Sequence, residues 1–126
     1  MVIDTSAILA IYFAEDHAPW LAQQLSKHNG ELNMSTVNLA ETLVLIRDRQ
    51  PTLYKKIEDE LLTSGINFIE PDVEQARIAA KARIIYPLNF GDCFAYALAV
   101  KLGQPLLAID SDFKALDIEV IFPAQL

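Results

Sequence analysis

Four acids stand where folding alone gives an acid little reason to be. Asp4 ends the apolar run "MVI" and is followed by two hydroxyls, Thr5 and Ser6. Glu41 lies early in "VNLAETLVLIRDR", Asp92 opens "GDCFAYALAVKLG", and Asp110 ends "LLAI" with Asp112 two residues on. Aspartate is disfavoured in strands and costly to bury unpaired. Each acid also has an ordinary explanation. Asp4 can cap the following helix, worth about 1 kcal/mol. Asp92 can complement a helix dipole, worth about 0.3–1 kcal/mol. Asp110 and Asp112 can be turn residues, and Glu41 can be an exposed member of a polar arc with Asn38, Asp48 and Arg49. Their conjunction asks for more. Two carboxylates about 4 Å apart repel by roughly 4 kcal/mol at an effective dielectric of about 20, so a cluster needs protons or divalent cations to hold it. Oxygen donors without Cys or His suit Mg²⁺ or Mn²⁺ rather than zinc. His17 and His28 lack the paired spacing of a zinc site and read as surface residues on a helix distant from the acids.

The elements that position these acids can be read from hydrophobic patterning. Five short β-like runs, "MVI", "ELNMS", "INFI", "LLAI" and "EVIF", alternate with helical stretches. "TSAILAIYF" is followed by a helix starting near "DHAPW", with Pro19 suited to a first turn. "LYKKIEDELLTS" is amphipathic and stops at Gly65. "DVEQARIAAKARII" begins with Asp72 and Gln75 at capping-box spacing. "GDCFAYALAVKLG" is almost wholly apolar and is expected to be buried. The alternation predicts an α/β fold, a three-layer α/β/α sandwich around a mostly parallel sheet of about five strands. In such sheets ligands bind outside the carboxyl ends of the strands. Asp4 and Asp110 fall on that edge. The helix carrying Glu41 leaves from it, and the helix opened by Asp92 runs antiparallel to the strands and starts there.

Composition bounds the rest. The chain has 126 residues, 52% hydrophobic and 21% charged, and is expected to form one globular domain over 1–126. No apolar run approaches a membrane span, and the start lacks the basic residues of a signal peptide. The single Cys93 excludes an internal disulfide framework. A soluble, cytoplasmic protein without membrane contact is expected. The net charge of −7 argues against a generic nucleic-acid binder. Arg47, Arg49, Lys55 and Lys56 form one basic group, and Arg77, Lys81 and Arg83 another; either reads first as a solvated helix face.

With these residues in hand, the chain resembles a PIN-domain protein of the VapC-type toxin ribonucleases, over essentially its whole length. The pieces that carry the resemblance are "VIDTSAIL", "MSTVNLAET", "LNFGDCFAYALA" and "LLAIDSDF", in that order. It implies an acidic site of Asp4, Glu41, Asp92 and Asp110, with Asp112 as an additional acid and Ser6 and Thr5 in support. It implies cleavage of single-stranded or looped RNA with Mg²⁺ or Mn²⁺, inhibition by a cognate VapB-like antitoxin, and a homodimer. Relatives often carry Thr where this chain has Ala108. Setting aside the five acids leaves a charge of −2, so the charge objection shrinks. Two other readings stand beside this one. A haloacid-dehalogenase-like phosphatase wants a second Asp where this chain has Ser6, and a catalytically silent PIN-like module would bind proteins only. The apolar stretches "TSAILAIYF" and "VNLAETLVLIRDR" suggest a dimer or antitoxin surface as well as core burial, and an antitoxin Arg among the carboxylates is the expected mode of inhibition.

Overall fold

The computed structural model describes residues 1–126. In chain order the elements are β1 (Val2–Ile3), α1 (Thr5–Tyr12), α2 (Ala18–Lys27), β2 (Asn33–Ser35), α3 (Thr36–Arg49), α4 (Tyr54–Leu62), β3 (Asn67–Ile69), α5 (Val73–Ile85), α6 (Phe90–Leu102), β4 (Leu106–Leu107) and β5 (Val120–Ile121), with a 3-10 turn at Ser111–Ala115. Every expected strand and helix is present, each strand shorter than its apolar run. The 3-10 turn is an addition, built where Asp110 and Asp112 read only as turn residues.

The five strands are all parallel, in the order β3-β2-β1-β4-β5. Successive residues of a strand face opposite sides, and the burial follows that alternation. Val2 and Leu106 enter a core with Ala95, Leu98 and Ala99 of α6 and Ala79 and Ala82 of α5. Ile3 and Leu107 enter the opposite core with Ala7, Ile8 and Ala10 of α1, Leu21 of α2 and Leu61 of α4. The sheet is thus covered on both faces and is the middle of three layers. A run such as "LLA", apolar at every position, is what a strand buried on both sides requires.

Chain order reverses between β1 and β4. From β1 the chain moves out through β2 to β3, then returns through α5 and α6 to β4 on the other side of β1. The crevice outside the carboxyl ends of β1 and β4 is therefore a topological switch point, where open parallel sheets bind ligands.

Helix ends follow local chemistry. The Asp72 carboxylate accepts the Gln75 N–H at 2.8 Å, but the Gln75 side chain is buried with its Oε1 unpartnered, so the capping box expected here is only half formed. The complete box is at α6: Asn89 Oδ1 accepts from Asp92 N at 2.8 Å, and Asp92 Oδ2 accepts from Asn89 N at 3.2 Å. Gly103 closes α6 in the left-handed conformation.

Of the two readings open for the apolar stretches of α1 and α3, core burial prevails. In α1, Ala7–Ala10 are buried, and α3 exposes only Val44 prominently, at 59%. The larger exposed apolar side chains belong to α5 and the start of α6: Val73, Ile84, Ile85 and Phe90. No helix is long and apolar enough to cross a membrane.

Candidate active site

Asp4 follows β1 directly and is 1% exposed. It is the N-cap of α1: its Oδ1 accepts the Ala7 N–H at 3.1 Å. The Ser6 hydroxyl lies 2.9 Å from Oδ1 and 3.0 Å from Oδ2 and donates its one proton to this carboxylate. Capping therefore consumes Oδ1 and leaves Oδ2 with Ser6 alone. Position 6, where a phosphatase of the dehalogenase type needs its second Asp, is instead a hydroxyl serving the first.

Glu41 projects from the second turn of α3 toward the start of α6. The Thr5 hydroxyl reaches Glu41 Oε1 at 2.5 Å and the Asn38 carbonyl at 3.0 Å. Asn38 is buried, and its Nδ2 donates to the Gly91 carbonyl at 3.0 Å, tying α3 to the first turn of α6. Asp92 follows Gly91 as the third residue of that helix, with Oδ2 held by the cap. Asp110, exposed after β4, heads the 3-10 turn: its Oδ1 accepts the Asp112 N–H at 2.8 Å.

A single pattern covers all four acids. Each has one carboxylate oxygen fixed by a hydrogen bond, local for the three aspartates and across the fold for Glu41: Asp4 Oδ1 with Ala7, Glu41 Oε1 with Thr5, Asp92 Oδ2 with Asn89, and Asp110 Oδ1 with Asp112. Glu41, Asp92 and Asp110 retain a second oxygen without a hydrogen bond, and the second oxygen of Asp4 meets only the shared Ser6 hydroxyl. None has a basic partner, because the ion pairs of the molecule engage Glu31, Glu58, Asp59, Glu60, Asp72 and Glu74 instead. Three of the four sit at helix or turn starts, where the positive end of the backbone dipole offsets part of their mutual repulsion.

The electrostatics show that these acids feel one another. Burial pushes the Asp4 carboxyl up to about 7, against the lowering effect of the Ser6 and Ala7 bonds, with the charges of Asp92 and Glu41 adding to the rise. Asp92 is pushed up to about 6, again mainly by burial, with further push from Asp110, Glu41 and Asp112. Repulsion links Asp4, Glu41, Asp92, Asp110 and Asp112 into one field on the carboxyl edge. No trio of His, Cys, Asp and Glu side chains is gathered closely enough to grip one ion directly. An all-protein cage is therefore not what the residues make. Oxygen donors, with bare carboxylate oxygens on Glu41, Asp92 and Asp110, fit a cation that keeps part of its own water shell, as Mg²⁺ does.

Asn38, Asn89 and Gly91 are missing from the acids and hydroxyls picked out by sequence. Asn89 had a readable signal, an Asn three residues ahead of an Asp at a helix start. Asn38 and Gly91 had none, since their partners lie across the fold. Ala108 is fully buried and brings no hydroxyl to Asp110. His17, expected to be remote, shares a shallow hollow of about 370 Å³ with Glu15, Asp16 and Ile109, next to Asp110 in the chain.

The basic groups also separate. Lys55 and Lys56 pair with Glu58, Asp59 and Glu60, while Arg47 and Arg49 stack over Tyr54 and Phe13 at 4.2 and 5.0 Å. Arg77, Lys81 and Arg83 on α5 have no ion pairs. Arg83 lines a groove of about 440 Å³ with Phe90, Cys93 and Phe94, beside the start of α6.

Comparison with known proteins places this geometry in context. The PIN domain family matches residues 1–119. Ribonuclease VapC42 of Mycobacterium tuberculosis is 36% identical over 127 residues, covering 94% of this chain and 96% of that protein. Among solved structures, the sarcin-ricin loop cleaving toxin VapC20 of M. tuberculosis superposes with a TM-score of 0.81 at 18% identity, covering 97% of this chain and 98% of that one. A toxin–antitoxin complex from Klebsiella pneumoniae matches at TM-score 0.75 and 18% identity, over 95% and 94% of the two chains.

Proposed function

The chain belongs to the PIN domain family, and from that premise we propose that it is a VapC-like ribonuclease toxin that hydrolyses RNA phosphodiester bonds with Mg²⁺ or Mn²⁺ held at Asp4, Glu41, Asp92 and Asp110. The observation that carries the proposal is the shared pattern of the four acids. Each is pinned by one oxygen and has no cationic neighbour, and the second oxygen is bare in three of them and touched only by Ser6 in Asp4, an arrangement that costs stability unless a cation occupies the edge.

When bound, divalent cations acidify water, neutralise the non-bridging phosphate oxygens and stabilise the leaving oxygen. The protein's own residues set the geometry. Ser6 holds the Asp4 carboxylate and favours its ionised form. Thr5 occupies Glu41 Oε1 and leaves Oε2 without a hydrogen bond beside Gly91. The Asn89 cap fixes Asp92, and the Asp112 N–H fixes Asp110. A carboxylate oxygen not engaged by the cation orients the attacking water. Asp112 contributes charge near Asp92 rather than a pinned oxygen.

RNA binding falls to the α5 side. Arg77, Lys81 and Arg83 have no ion pairs and are available to meet phosphates, and Arg83 stands in the groove with Phe90, which is 70% exposed. Unstacked bases of a loop favour such aromatic faces. The partner proposed is a VapB-like antitoxin that inserts an Arg among the four carboxylates, a charge-assisted pairing that replaces the cation. The toxin is proposed to act as a homodimer.

The test is cleavage of a panel of structured RNAs in Mg²⁺, Mn²⁺ or EDTA, with Asp92→Asn alongside. Cleavage that needs the cation and disappears in the variant supports the proposal. Equal cleavage by both proteins contradicts it. Cation binding by a well-folded protein with no turnover on any RNA turns the reading to a silent binding module.

A further inference from the structure

Gly91 is the second residue of α6, and its backbone is ordinary helix rather than the left-handed conformation that calls for glycine elsewhere. Within a helix glycine is worse than alanine by about 0.5–1 kcal/mol. Nothing in the local backbone therefore explains its presence. The explanation lies across the fold. A Cβ on Gly91 would sit 2.6 Å from Glu41 Oε2, 2.7 Å from Oε1 and 2.9 Å from Cδ, far inside van der Waals contact. The Glu41 carboxylate fills the space that a side chain at 91 would take.

We propose that Gly91 is a positioning residue: its missing side chain forms the cradle that holds the Glu41 carboxylate in the acidic site, with Thr5 as the latch and Asn38 as the strut. This rests on the reading of Glu41 as a cation-holding residue. Glutamate has three side-chain rotors, and ordering it costs up to about 2 kcal/mol of conformational entropy. The cradle supplies that order by shape. Thr5 Oγ1 holds Oε1 from the α1 side. Asn38 Nδ2, bonded to the Gly91 carbonyl, fixes the distance between α3 and the first turn of α6. The carboxylate also lies against the first turn of α6.

The three nearest atoms that an added Cβ meets all belong to the far end of the flexible Glu41 side chain. Alanine at 91 therefore displaces Glu41 and leaves the fold intact. The substitution improves the helix while disarming the site, the opposite of what a packing glycine does.

The experiment compares wild type, Gly91→Ala, Glu41→Ala and the double variant. Three readouts are taken: thermal midpoint, Mn²⁺ affinity of the free protein by electron paramagnetic resonance, and a metal-free crystal structure of Gly91→Ala. The expected results are an unchanged or higher midpoint, a Glu41 carboxylate moved off Thr5, and a loss of Mn²⁺ affinity of about 10–100-fold. In the Glu41→Ala background the alanine at 91 is expected to add no further loss. A Glu41 still bonded to Thr5 in Gly91→Ala overturns the inference, as does an equal Mn²⁺ loss in the Glu41→Ala background. A wild type that neither binds Mn²⁺ nor cleaves RNA sinks the nuclease reading instead, and the crystal structure still decides whether Gly91 seats Glu41.

Discussion

The Thr5 hydroxyl meets Glu41 Oε1 at 2.5 Å, joining the first residue of α1 to a side chain of α3 thirty-six positions away. The bond links the strand end that presents Asp4 to the helix that presents Glu41. Thr5→Val removes the hydroxyl and keeps the shape. The expected outcome is a cleavage rate lower by about 10–100-fold. The fold is expected to lose about 1 kcal/mol, the usual worth of one hydrogen bond. Single-turnover cleavage beside thermal denaturation checks both. An unchanged rate would mean that Glu41 does not depend on its latch.

Ser6 acts on the neighbouring acid through the same chemistry. It donates to Asp4 and favours the charged form, so removing it raises the Asp4 carboxyl above its present value of about 7. In Ser6→Ala the acid limb of the cleavage profile is expected to move up by about one pH unit. Activity at pH 6 then falls more than activity at pH 8. A profile that drops evenly at all pH values would assign Ser6 a purely structural part.

Asp4 itself opposes folding when no cation is present. Its folded pKa of about 7 lies above the ordinary 3.8. Between those values the unfolded chain has released the proton and the folded one retains it, so this residue's contribution to stability is lost as pH rises from about 4 to 7. Asp92, raised to about 6, acts in the same direction over a narrower window. Asp4→Asn keeps a good capping side chain and removes the charge. In EDTA the variant is expected to be more stable than wild type by about 1–3 kcal/mol at pH 7, with the gap narrowing toward pH 4. A variant less stable than wild type at pH 7 would show that the buried carboxylate is already compensated within the protein.

The two basic groups make opposite predictions. Lys81→Ala combined with Arg83→Ala is expected to weaken RNA binding for all sequences alike and to reduce the salt slope by about 1.4. Lys55→Ala combined with Lys56→Ala, whose partners are Glu58, Asp59 and Glu60, is expected to leave the slope unchanged. Binding in Ca²⁺ at graded salt reads both pairs. Equal slopes in the two double variants would remove α5 from the RNA path.

Much of this architecture is legible in the chain. Apolar runs bounded by helix starts give the five strands, and strand–helix alternation alone sends Asp4, Glu41, Asp92 and Asp110 to one edge. Capping and a site on the carboxyl edge are not exclusive, because Asp4 and Asp110 each cap with only one carboxylate oxygen. What stayed hidden depends on contacts across the fold. Gly91 in isolation is a helix defect, and only the arrival of Glu41 from α3 gives it a role. Asn38 shares a helix arc with Glu41 and looks equally exposed, yet it is buried by its bond to α6. Of the two readings open for the apolar stretches of α1 and α3, core burial is the one their residues follow, and the exposed apolar side chains Val73, Ile84, Ile85 and Phe90 lie on α5 and the start of α6. Helix periodicity shows that a face is apolar without showing which neighbour covers it.

The most direct measurement is a crystal structure of the wild-type protein soaked in Mn²⁺, read from anomalous scattering at the manganese edge. The expected result is one or two peaks on the carboxyl edge among Asp4, Glu41, Asp92 and Asp110, reached through their free oxygens and bridging waters, and absent from Asp4→Asn crystals. Saturating Mn²⁺ with no peak on that edge, or with peaks only at exposed pairs such as Asp72 and Glu74, would contradict the acidic site.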